Sequence, residues 1–155
     1  MQDILLSISL STLVGFLLAV PALIMEAFGR KRNNLPVLLE VRAFWGKDLK
    51  HKEVFAFGLL VHLLHCMLFG ALYPFVADID FVKQYLPVYG IASIIVFAIA
   101  FYFAEGIVTE VVGLGAFWKK EDKNAWMESI ISTLILAFLF WLAVQYYQPY
   151  YFTGI

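Results

Sequence analysis

Four apolar stretches, residues 4–28, 54–77, 88–116 and 126–147, constrain this chain more than any other feature. A helix needs about 20 mainly apolar residues to cross the hydrocarbon layer of a bilayer, and each stretch is long enough. Unpaired backbone groups cannot be left in lipid, so runs of this kind must be helical. The alternating segments of about ten residues that mark a membrane barrel are absent. Only 15% of the residues are charged, against about 25% in soluble domains. The expected fold is therefore an all-α membrane protein: one domain over residues 1–155, with four spans arranged as two hairpins.

The positive charges predict how those spans are oriented. Arg30, Lys31, Arg32, Arg42, Lys47, Lys50 and Lys52 lie between the first and second spans. Lys119, Lys120 and Lys123 lie between the third and fourth, whereas the intervening connection holds only Lys83, near Asp78 and Asp80. Lys and Arg collect on the cytoplasmic side. Both basic loops are thus expected inside and both termini outside. The N-terminal residues lack a basic leader, so the first span is expected to be retained. The basic loops set topology and are not read as a nucleic-acid site. The expected partners are the lipid bilayer and a second copy or another membrane protein.

Shorter features refine this layout. From Asn34 the segment NLPVLLEVRAFWGKDLK can be capped by Asn34 and tolerates Pro36 in a first helical turn. Leu38, Val41 and Trp45 recur at helical spacing, which predicts a short amphipathic helix in the headgroup layer. Pro21 is expected to bend the first span. DIDFVKQYLPVYG reads as a short connection with interfacial aromatics, and AVPALIME over AIAFYFAE is a faint trace of duplication.

The polar residues inside the spans carry whatever chemistry is present. HLLHCMLFGALYP, residues 62–74, places His62 and His65 near mid-depth of the second span. Cys66 and Gly70 lie close to them as a pair of small residues that admits another backbone. On the third span Tyr102, Glu105 and Thr109 form a polar stripe, with Gly106 and Gly113 available for close packing. An ionisable group at such depth is costly unless paired. The expectation is a cluster of His62, His65, Glu105, Tyr102 and Thr109 in which a histidine meets Glu105 across the second and third spans. Glu26, four residues before Arg30, is expected to pair locally or snorkel. No nucleophile–base arrangement or phosphate loop is visible, and no catalytic, cofactor or metal site is expected. Haem held by two histidines would need them on different spans, and a metal at His62, His65 and Glu105 has too few ligands.

The first span reads G-F-L-L-A-x-P-A-x-x-M from Gly15, and the second reads H-x7-G-A-L-Y-P from His62, with Leu35-Pro36 in the basic loop between them. This resembles the YagU-like group of small four-helix bacterial inner-membrane proteins. The sequence departs from that pattern at Pro74, where a glycine is usual, and in the fourth span, which lacks the group's histidine and glycines. The resemblance implies a role at the cell envelope and no particular chemistry. Three readings follow: a non-enzymatic accessory or envelope-stress component, a homo-oligomeric carrier or proton-linked permease using His62, His65 and Glu105, or a membrane enzyme or electron-transfer module for a quinone-like substrate.

Overall fold

The computed structural model describes residues 2–28, 43–44, 47–48, 50–111 and 125–151. Its elements are α1 (Gln2–Ala27), β1 (Ala43–Phe44), β2 (Lys47–Asp48), α2 (His51–Ala77), α3 (Asp80–Tyr85), α4 (Ile91–Val111) and α5 (Ala125–Tyr151). Four of the helices, α1, α2, α4 and α5, are long and apolar enough to cross a membrane. Pro21 and Pro74 both lie inside helices that continue past them.

The four long helices form a closed ring in which α1 packs on α2, α2 on α4, α4 on α5 and α5 on α1. Two of these seams are built on opposite principles, and α2 takes part in both. Toward α1 it presents Cys66 and Gly70. A Cβ added at Gly70 would collide with the Ser11 hydroxyl and the Ser7 carbonyl, and one added at Gly15 would collide with the Cys66 thiol. Ser7, Ser11 and Gly15 recur every four residues, so α1 carries a small-residue stripe matched to that of α2. Without bulky side chains in between, the two backbones approach closely and gain dispersion contacts that lipid cannot supply. This is the most extensive helix pair of the bundle.

Toward α4 the same helix presents large rings. His65, Phe69 and Tyr73 recur at four-residue spacing and run antiparallel to Glu105, Phe101, Phe97 and Ser93. Phe69 meets Phe97 at 5.0 Å and Phe101 at 5.6 Å, both edge-on. Tyr73 meets Phe97 at 5.4 Å, and Phe140 from α5 closes the cluster against Phe69 at 5.7 Å. Edge-to-face ring pairs contribute about 0.5–1.5 kcal/mol beyond their burial. Their bulk also keeps α2 and α4 apart, which makes this the loosest seam of the ring.

The outward surface is apolar on every helix, with Leu5, Leu13, Leu17, Leu68, Val96, Ile107, Ile131 and Leu142 exposed. Among the described residues, the buried polar ones are Ser7, Ser11, Ser93 and Thr133. The core is apolar as well, with small hydroxyls among its rings and aliphatics, so the bundle is apolar inside and out, as a hydrocarbon surround allows.

At the end where α2 runs into α3, a chain of hydrogen bonds fixes the connection to α4. The Tyr89 amide donates to the Tyr73 hydroxyl at 2.9 Å. Tyr73 in turn bonds Ser93 Oγ at 2.9 Å, and Ser93 reaches the carbonyls of Pro87 and Gly90. Gln145 on α5 donates to the Tyr89 carbonyl at 3.2 Å. Tyr89 takes a left-handed backbone, with φ of 58°, and these bonds on both its amide and its carbonyl hold it there. The connection contains more structure than expected, since Asp80–Tyr85 is a helix that buries none of its residues. Its Phe81 and Tyr85 are exposed, and their rings meet at a tilt with centroids 5.1 Å apart. Lys83 pairs with Asp78, and that hydrogen bond raises the pKa of the ammonium.

The amphipathic helix expected after Asn34 falls on residues outside the described set, apart from Ala43 and Phe44. Those two are extended and pair antiparallel with Asp48 and Lys47.

The α1–α2 seam yields a prediction. Gly70→Ala should lower stability by about 1–3 kcal/mol, the range for overpacking a filled interface. Thermal unfolding in mild detergent measures it, with Leu68→Ala on the exposed face as the neutral comparison. Equal midpoints for the two variants would contradict close packing at Gly70.

Candidate functional site

His65 is the central residue of the apolar stretch Glu53–Ala77. Its Nδ1 donates to Glu105 Oε2 at 2.6 Å, joining α2 to α4. The Phe101 ring, one turn from Glu105, meets the imidazole edge-on at 5.1 Å. The pair sits where the aromatic zipper between α2 and α4 stops. Phe69 and Phe101 are buried, whereas the His65 and Glu105 side chains keep 14% and 25% of their exposure. A hydrogen bond between ionisable partners is shorter and stronger than a neutral one. At low dielectric each group also relieves the other's desolvation.

His62 does something different. Three residues from His65, it points about 60° away around the helix axis, toward α1. Its Nε2–H donates to the Gly15 carbonyl at 2.9 Å, and Cys66 Sγ lies 3.8 Å from the same nitrogen. A glycine is needed opposite, because a side chain there would occupy the space of the Cys66 thiol. His62 thus ties α2 to α1 at the level where His65 ties it to α4.

The single polar cluster expected from the sequence is therefore divided. The structure brings His65 and Glu105 together and gives His62 to the other seam. Tyr102 is buried on α4, one turn before Glu105. Gly106 is buried too, while Gly113 and the side chain of Thr109 lie outside the described residues. Cys66 and Gly70 form the close face expected of them, and α1 is what they meet. Glu26 is half-buried, and Arg30 is outside the described set. Among the described residues, no group of three or more His, Cys, Asp and Glu side chains is arranged to hold a metal ion.

Sequence reasoning missed the serine stripe of α1 and the Tyr73–Ser93 bond. The four-residue spacing of Ser7, Ser11 and Gly15, matched against that of Cys66 and Gly70, was the available signal. Tyr73 and Ser93 offered none, since each stands about two turns or more from the other polar groups of its span and a hydroxyl can bond its own helix.

The chain matches no family model, no characterised protein and no solved structure. The resemblance to YagU-like proteins accordingly rests on the quoted segments alone.

The pair can be tested by a double-mutant cycle. His65→Ala and Glu105→Ala should each lower the unfolding midpoint in detergent, and the double variant should lose less than their sum, by about 0.5–3 kcal/mol. His62→Ala combined with Glu105→Ala should be additive. Additivity in the first cycle would dissolve the pair, and coupling in the second would reassign it.

Proposed function

We propose that this chain is a non-enzymatic integral protein of a bacterial inner membrane that works through contacts between membrane helices, as an accessory or envelope-stress component. The observation that carries this reading is the use made of the intramembrane polar groups. His65 is bonded to Glu105 and His62 to the Gly15 carbonyl, so both imidazoles hold α2 against a neighbour. Polar bonds of this kind contribute about 0.6–2 kcal/mol each to helix association in membranes. They set which helix faces which, and at what register. The envelope role implied by the YagU-like segments points the same way.

The Lys and Arg distribution supports an orientation with both basic connections in the cytoplasm and both termini outside. The exposed aromatics of α3, Phe81 and Tyr85, then fall at the outer headgroup layer, where amphipathic rings are favoured.

A carrier or proton-linked permease is the second reading, favoured by the partial exposure of His65 and Glu105 at mid-span. Four helices are few for a transport path, so that reading requires a homo-oligomer. A monomer in mild detergent would count against the carrier; if the protein is a dimer or larger, proton uptake by liposomes holding it that is lost in Glu105→Gln would favour the carrier, and its absence the contact-protein reading.

Orientation has its own test. A reporter fused after Ile155 that is active only when exported should be active, and one inserted between Lys119 and Lys123 should be silent. The reverse result would invert the layout.

A further inference from the structure

The second nitrogen of His65 is not used by the clasp. Nδ1 is held by Glu105, while Nε2 has no hydrogen-bond partner among the described residues. The side chain also keeps part of its exposure. Its position on the helix indicates what that exposure faces. Leu68 and Leu72, at i+3 and i+7, share the flank of His65 and are exposed on the outer surface. Across the seam, Val108 lies three residues beyond Glu105 and is exposed as well. His65 therefore stands at the lipid edge of the loosest seam in the ring, at mid-span, where the buried aromatic zipper ends at Phe101.

We propose that this seam binds the head of a lipid-dissolved molecule of the quinone–quinol class, with His65 Nε2 as its hydrogen-bond partner. Three features select that chemistry. A ligand at this depth must have an apolar body, because it arrives through hydrocarbon between Leu68, Leu72 and Val108. It needs one hydrogen-bonding oxygen to satisfy the imidazole. Finally, the imidazole can serve both forms of such a molecule. A ring protonated on both nitrogens donates from Nε2 to a quinone carbonyl, and one protonated on Nδ1 alone accepts there from a quinol hydroxyl. Glu105 fixes the ring orientation in either case, as a carboxylate does for a ligating histidine elsewhere. Binding alone is assigned, so the proposal adds a ligand to the contact-protein reading and rests only on its placement of His65 at mid-span.

The test uses the full chain in phosphatidylcholine nanodiscs, with its histidines labelled by 15N, titrated with a benzoquinone bearing a decyl tail. The His65 Nε2 resonance should shift saturably while those of His62 and His51 stay in place. His65→Phe, which keeps ring bulk but offers no nitrogen, should weaken saturable binding by about two- to tenfold, the usual worth of one hydrogen bond to a polar ligand group. Lys83→Ala should bind as the parent does. Should His65→Phe fail to fold, the shift in the parent protein still decides the matter. A linear, unsaturable response in the parent shows partition into lipid only and overturns the proposal, as does undiminished binding in a folded His65→Phe. Neither outcome touches the His65–Glu105 coupling, which is measured without quinone.

Discussion

The bundle depends on α2 having two differently built faces. Hydrocarbon solvates leucine as well as another helix does, so there is no hydrophobic drive to bring spans together once they are inserted. Association must come from close packing and from polar groups that lipid cannot satisfy. On one face α2 offers Cys66 and Gly70 to the Ser7–Ser11–Gly15 stripe of α1, and the absence of side chains creates the contact. On the other, Phe69 and Tyr73 interlock with Phe97 and Phe101 of α4, and side-chain bulk creates it. Exchanging the two principles would fail on both sides: rings would not fit against Gly15, and small residues could not bridge the width of the α4 seam.

Each seam carries polar bonds that fix its register. On the α4 side they stand at the two ends of the aromatic zipper, Tyr73–Ser93 near α3 and His65–Glu105 at mid-span. A slide of one helical turn breaks both bonds and brings a phenylalanine opposite two of these groups, His65 and Ser93 in one direction or Glu105 and Tyr73 in the other, at low dielectric. On the α1 side the His62 bond to the Gly15 carbonyl has the same effect. Aromatic packing alone tolerates such slides, because phenylalanines are interchangeable along the stripe. Ser7 is the exception to this economy, since its hydroxyl is fully buried without a hydrogen-bond partner.

The spans were legible in the sequence because length and apolarity are the requirements for crossing a bilayer. The partnership of a histidine with Glu105 was legible because two ionisable groups at matching depth on adjacent antiparallel spans have few other solutions. Which histidine would pair was not, since His62 and His65 differ in direction and only the placement of α1 decides between them. The aromatic zipper stayed hidden for a related reason: where lipid and core are both apolar, Phe69 and Leu68 look alike in sequence, though one is buried and the other exposed. Serines gave little signal because a hydroxyl can bond its own helix, as Ser11 does to the Ile8 carbonyl, and so needs no partner across a seam. The helix α3 escaped notice because six residues are too short for a period to register.

The central claim is that α2 meets α4 through His65 and Glu105 while His62 turns to α1. Solid-state NMR on the protein in lipid bilayers, with 15N in the histidine rings and 13C in the glutamate carboxyls, tests it most directly. The account predicts strong dipolar dephasing of His65 Nδ1 by the Glu105 carboxyl carbon, lost in Glu105→Gln prepared without the carboxyl label, and none at His62. Dephasing at His62 in place of His65, or at neither ring, would contradict it.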